Sequence, residues 1–212
     1  MIVDAELAAQ HLAAVDPVMA ELIRVHGACD LAPGTVSPFR ALSRSIIFQQ
    51  LSGKAAETIF GRFVAHFSIA PGSEAFPTPE VVLAVAEEAL RSAGLSRQKA
   101  AAVRSLAEHV AAGQVTEAAF DDLDDEEVIA RLTAVRGIGR WTAEMFLMFH
   151  LGRPDVLPVN DVGINRAIRT LYGLEELPKP ADVLRIGEPW RPWASVACWY
   201  LWRSEDVKPP AA

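Results

Sequence analysis

One stretch, VIARLTAVRGIGRWTAEMFLMF (residues 128–149), constrains the fold of this chain more than any other. Apolar residues recur at helical spacing in both halves, and Arg136-Gly137-Ile138-Gly139 interrupts them. The pattern is helix, four-residue turn, helix. Gly137 and Gly139 allow positive φ and let the backbone approach a neighbour closely. Gly139 stands directly before a helix start, where N–H groups lacking intrahelical partners can hold an anion such as a phosphate. Two readings are open here: a plain corner between helices with glycine caps, or a hairpin that grips nucleic acid through main-chain amides.

The remainder also reads as helical. DAELAAQHLAAVDPVMAELIRVHG places Leu7, Leu12, Val15, Met19, Leu22 and Ile23 at helical spacing, with Gly27 as the stop. LAPGTVSP is loop, and SPFRALSRSIIFQQLSGKAAETIFGRFVAHF gives two helices. APGSEAFPTPE is a break, and Pro79 suits the first turn of the helix that follows it. LSRQKAAAVRSLAEHVAAG predicts a helix capped by Ser96 and stopped at Gly113. DDEEVIARLTAV opens with acids, which suit a helix N-terminus. NDVGINRAIRTLYG and EPWRPWASVACWYLWRSE complete the set, and strand-like alternation is absent. The expected fold class is all-α.

At 212 residues and 51% hydrophobic, the chain is long and apolar enough for one packed unit. Its two cysteines, Cys29 and Cys198, are too few for a disulfide framework or a four-cysteine iron–sulfur loop, so a reducing interior is the expectation. No apolar run reaches the ~20 residues that span a bilayer. The first residues carry acids and no basic leader, which does not read as a signal peptide. A cytoplasmic protein with no membrane partner is therefore expected. The net charge of −7 argues against a polyanion, yet seven acids crowd into residues 117–127. Arg91, Arg97, Lys99, Arg104, Arg131, Arg136 and Arg140 cluster elsewhere, so a basic face remains open.

Four blocks, in order from about Pro38 to Trp202, carry a family resemblance. RGIGRWTA, followed by Asp161 in LPVNDVG, resembles the hairpin and catalytic aspartate of the helix-hairpin-helix DNA glycosylases. IIFQQLSGKAA, GLSRQKAAAVRSLAEHV and EPWRPWASVACWYLW resemble further segments of that superfamily. The last points to its alkylation-repair branch, the 3-methyladenine DNA glycosylase II group. Two features depart from the pattern: Arg136 replaces the usual proline before the first glycine, and PVND offers one carboxylate where some members have two.

The resemblance implies a single glycosylase unit over residues 1–212. A central helical lobe would span about 40–150, with the helix-hairpin-helix at about 126–149. Residues 1–37, read as an N-terminal helix, and 151–212 would form a second lobe, with the active cleft between the two. The implied partner is double-stranded DNA carrying alkylated bases, and the implied state is a monomer. Asp161 would be catalytic, stabilising an oxocarbenium-like sugar and orienting the attacking water. As a favoured capping residue it would equally serve as a helix N-cap.

Trp141 stands where bifunctional members carry a lysine nucleophile, so a monofunctional enzyme is implied. Trp141 and Trp202 would wall the base pocket, with Phe39 and Phe48 adding to it. Trp190, Trp193 and Trp199 read as core. Gln50 would enter the duplex in place of the extruded base, with Gln49 and Leu51 beside it; the plain alternative is a surface glutamine. Gly137, Ile138, Gly139, Arg140 and Thr142 would contact the DNA backbone. The carbonyls of Thr133, Val135 and Gly137 would hold a sodium or potassium ion, and no catalytic cofactor is expected. The rival from another class is a non-catalytic DNA-binding module of the same hairpin type.

Overall fold

The structure, a computed structural model, describes residues 4–67 and 76–205. Residues 70–75 of the break expected over residues 70–80, and the tail VKPPAA, lie outside the described residues. Among those residues the chain is helical throughout and contains no strand. The elements are α1 (Ala5–Val15), α2 (Pro17–His26), α3 (Pro38–Phe48), α4 (Gly53–Phe67), α5 (Pro79–Ala84) and α6 (Glu87–Ser92). They continue with α7 (Arg97–Ala111), α8 (Asp125–Thr133), α9 (Arg140–Phe149), α10 (Val162–Leu171), α11 (Pro180–Gly187) and α12 (Ala194–Ser204). A short 3₁₀ turn, Glu188–Trp190, precedes α12.

Three boundaries differ from the periodicity. The first helical stretch is two helices, because Pro17 lacks an N–H and forces Asp16 into extended backbone. Asp16 then caps α2, its side chain accepting from Val18 N and Met19 N. The stretch after Pro79 is also two helices. The Arg104 guanidinium accounts for the stop, donating to Leu83 O and Val85 O at the end of α5. α11 was not expected; only Pro180 at its first turn marks it. Ser96 and Gly113 act as anticipated, Ser96 capping α7 and Gly113 sitting at φ +72° just after it.

The chain divides into two compact units. Thr35–Ala143 form one, in which α7 packs against α3, α5 and α6, and α3 against α4. Its apolar centre includes Phe76, whose ring meets those of Phe39, Phe60 and Phe63 at 5.6, 5.8 and 5.8 Å. The residues up to Gly34 and from Glu144 onward form the other. There α12 packs against α1, α2 and α10. Every residue from Ala194 to Trp202 is buried, so α12 is apolar on all sides and acts as the post of this unit.

Polar contacts, those of Asp16 buried and the others nearer the surface, tie its helices together. Asp16 Oδ2 accepts from the Tyr172 hydroxyl at 2.6 Å and from Trp190 Nε1 at 2.8 Å. Trp199 Nε1 donates to Asp30 at 2.9 Å, and Tyr200 donates to Gly27 O at 2.9 Å. Trp190 and Trp199 are buried, as their expected core role requires. Burial, and then the Asp16 carboxylate, raise the Tyr172 pKa, while burial and the neighbouring Cys29 raise that of Tyr200.

Both tyrosines of the chain should therefore stay protonated in the folded protein above the ordinary value of about 10. The unfolded chain releases those protons, so this part of the stability is complete below about pH 10 and is lost as pH rises further. Absorbance titration of tyrosinate should show no ionisation ahead of unfolding. A normal titration near pH 10 in folded protein would contradict it.

Candidate active site and nucleic-acid interface

Asp161 lies at the N-terminus of α10 and is buried, with 7% exposure. Its Oδ1 accepts from Ile164 N at 2.8 Å, which makes it the helix N-cap. The same oxygen accepts from Trp202 Nε1 at 3.0 Å. Gly163 makes that approach possible: a Cβ there would stand 3.1 Å from the Trp202 ring and 3.2 Å from Asp161 Oδ1. The Trp202 ring also lies 5.7 Å from that of Phe149.

The loop that delivers Asp161 is fastened to the start of α12. Ser195 donates to Arg153 O at 2.7 Å and accepts from Val156 N at 2.9 Å. Asp155 accepts from Ala194 N and from Arg191. One helix thus fixes both the approach to the aspartate, at its first turn, and the indole that meets it, at its last. A carboxylate oriented by two donors at a helix N-terminus, where negative charge is favoured, can stabilise a developing cation or direct a water.

The hairpin lies between α8 and α9. α8 opens with a capping box, Asp124 accepting from Glu127 N and Glu127 accepting from Asp124 N. Gly137 adopts φ +82°, and a Cβ on it would stand 2.9 Å from the Ala102 Cβ of α7. Gly139 differs: its φ is not positive, and a Cβ there would meet nothing within 4 Å. The close approach expected of both glycines belongs to Gly137.

Comparison with known proteins identifies the constellation. Residues 43–192 match the model of the HhH-GPD superfamily base excision DNA repair proteins. The chain belongs to this superfamily. It is 39% identical over 171 residues to DNA-3-methyladenine glycosylase 1 of Schizosaccharomyces pombe, covering 80% of this chain and 73% of that protein. The solved structure of an S. pombe 3-methyladenine DNA glycosylase in complex with abasic DNA is similar to it, with a TM-score of 0.80 and 35% identity over 97% of this chain and 99% of that one. A Bacillus halodurans DNA-3-methyladenine glycosidase gives a TM-score of 0.81 and 39% identity over 94% and 92%.

The other residues expected in the site of this superfamily member occupy varied surroundings. Trp141 is 43% exposed at the start of α9. Trp202 is 2% exposed, so its ring is packed into the core and its polar edge is spent on Asp161. Phe39 is 4% exposed and belongs to the phenylalanine cluster, not to an open wall. Phe48 is half-buried beneath the Arg44 guanidinium, 3.9 Å from the ring centroid.

Among the hairpin residues, Ile138 is buried and its N–H donates to Val135 O at 3.1 Å, so that amide is used inside the turn. Thr142 is buried too. Arg140 makes a two-pronged pair with Glu126, which competes with any phosphate for the guanidinium. Gln50 is exposed and left-handed at φ +57°, and Leu51 is exposed. Gln49 is not free to enter a duplex: its Nε2 donates to Gly137 O at 3.0 Å.

For the expected monovalent cation, the donor set would be three neutral carbonyls, which suits a hard cation of low charge. Val135 O accepts from Ile138 N and Gly137 O from Gln49 Nε2, and a carbonyl has a second lone pair, so the chemistry of these two oxygens fits such an ion. Among the described residues no group of three or more His, Cys, Asp or Glu could hold a metal, and no helix is long and apolar enough to cross a membrane.

Sequence reasoning did not single out Gly163 or the part Gln49 plays. The glycine two residues after Asp161 in NDVG was the available signal for the first. The second had none, since it depends on a contact 88 positions away.

Gly137→Ala should cost about 2–4 kcal/mol, from left-handed backbone and from overpacking against Ala102. Gly139→Ala should cost about 1 kcal/mol or less, the ordinary penalty at a helix cap. Urea midpoints at unchanged slope measure both. Equal costs would contradict the geometric distinction between the two glycines.

Proposed function

We propose that this protein is a monofunctional DNA glycosylase that hydrolyses the N-glycosidic bond of alkylated purines in double-stranded DNA, the first step of base excision repair. The observation that carries this reading is the Asp161 carboxylate, buried and held on one oxygen by Ile164 N and Trp202 Nε1. Membership of the base excision repair superfamily supports it, as do relatives named for 3-methyladenine.

In this reading the damaged nucleotide leaves the stack, at a cost of about a few kcal/mol that is lowest for weakened pairs. Gln50 fills the gap in the duplex. The indole of Trp141, 43% exposed, receives the extruded base. Alkylation at N3 of adenine or N7 of guanine makes the base cationic, and an indole face attracts a cation. Such a base departs readily, so no dedicated proton donor is required. As it leaves, positive charge grows on the sugar, and Asp161 stabilises it and directs water to C1′.

Trp202 holds the carboxylate in one orientation during this step. Trp141, in the place of a lysine nucleophile, gives no amine for a Schiff base, so the product is an abasic site. The range of bases proposed is 3-methyladenine and 7-methylguanine, with ethenoadenine or 1-methyladenine as further candidates. The hairpin amides around Gly137 and Gly139 meet a backbone phosphate. A sodium or potassium ion on the carbonyls of Thr133, Val135 and Gly137 would supply positive charge beside it. The protein would act as a monomer where the DNA is.

Asp161→Asn keeps an acceptor oxygen for Ile164 N and Trp202 Nε1, so it should fold normally. Its rate of base release from methylated duplex should fall by about 10²–10⁴-fold. Mass spectrometry of the released bases defines the substrate range. Equal release by wild type and variant would remove Asp161 from the mechanism. DNA binding with no release by either would favour the non-catalytic module.

A further inference from the structure

α7 touches both segments proposed to meet DNA in its unit, the Gln49–Leu51 turn and the Gly137 hairpin. Lys99 Nζ donates to Ile47 O at 2.6 Å and to Gln49 O at 2.8 Å, where α3 ends and the Gln49–Leu51 turn begins. Three residues on, Ala102 is the atom group against which Gly137 closes. Three further on, the Ser105 hydroxyl accepts from Arg136 N at 3.2 Å, at the entrance to the hairpin. Lys99 and Ala102 are neighbours on the helix surface, as are Ala102 and Ser105. The turn and the hairpin are also joined directly, by Gln49 Nε2 to Gly137 O.

The turn needs such fixing. Gln50 is held at φ +57°, a conformation unfavourable for a non-glycine residue that persists only where the surroundings impose it. The last carbonyls of a helix lack intrahelical partners, and an ammonium placed on them also meets the negative end of the helix dipole. Lys99 is partly buried in doing this, and that burial lowers its pKa. An exposed surface lysine would bear no such cost.

We propose that Lys99 is a positioning residue for base extrusion. With Ala102 and Ser105 it seats the Gln49–Leu51 turn and the Gly137 hairpin on α7 as one rigid body, so that Gln50 enters the duplex while the hairpin holds the backbone. The part concerning DNA rests on the glycosylase reading; the coupling of turn to hairpin does not.

Two readouts on the full chain test it. The first is hydrogen exchange without DNA. Lys99→Met keeps the aliphatic stem and removes the donors. It should speed exchange at the Leu51 amide and also at the Arg136 and Ile138 amides, at least tenfold at both places. Faster exchange in the turn alone, or in neither, would overturn the coupling.

The second readout is fluorescence of 2-aminopurine beside a methylated base, with single-turnover kinetics at saturating enzyme. Lys99→Met should lower the extrusion signal and the maximal rate about tenfold. The half-saturating concentration should move less than twofold, and Lys99→Arg should recover part of the loss. Should Lys99→Met not fold, Gln49→Ala cuts the direct link at a half-buried site and should show the same pattern, about threefold. A wild-type extrusion signal per folded molecule in these variants would make Lys99 merely structural and sink the proposal. Wild-type protein that extrudes and releases no base would instead overturn the glycosylase reading, and the positioning role with it, leaving the coupling to be judged by exchange.

Discussion

A carboxylate taken out of water must be met by donors, and that constraint shapes one whole unit of this protein. It contains two buried aspartates, Asp16 and Asp161, and both are solved in the same way. Each caps a helix and each receives an indole N–H, from Trp190 and Trp202 respectively. Removing either indole would leave a buried acceptor short of a partner, which costs more than the hydrogen bond itself contributed. The tryptophans of the last segment are therefore more than bulk. They place polar hydrogen atoms inside an otherwise apolar post, and α12 carries the second of them to the aspartate proposed to act on DNA.

The other unit is governed by backbone, not charge. Its decisive contact is the meeting of Gly137 with Ala102, where the hairpin backbone comes closer to α7 than a Cβ on residue 137 would allow. Around it, donors reach across from α7 and from Gln49 to main-chain oxygens. Such contacts fix the position of one loop against another without using the exposed side chains of Gln50 and Leu51.

Much of this was legible in the sequence. Helical periodicity located most helices, and the caps at Ser96 and Asp161 followed from residue type. The hairpin and Asp161 were legible through the family resemblance of RGIGRWTA and LPVNDVG; their local residues alone also allowed a glycine-capped corner and a plain helix N-cap. What escaped notice depends on contacts between distant segments. Arg104 ends α5 from 19 and 21 residues away, and nothing near Leu83 announces it. The Asp16–Pro17 break was visible in principle, since a residue before proline is pushed from the helical region. The burial of Phe39 was not, because it depends on Phe76 beyond the next helix. Nor did sequence show that Arg140 faces Glu126, an acid from the same crowded stretch that sets the net charge.

The seat on α7 also bears on how such a chain can vary in length. Lys99 and Ser105 are six residues apart on a rigid helix, which sets them about 9 Å apart along its axis. One residue inserted or deleted between them would turn the two through about 100° relative to each other, and only one of the loops could stay seated. Loop lengths on either side can drift without this penalty. Insertions and deletions should therefore be tolerated around α7 and excluded from its middle, which makes this helix a ruler for the spacing of the two loops seated on it.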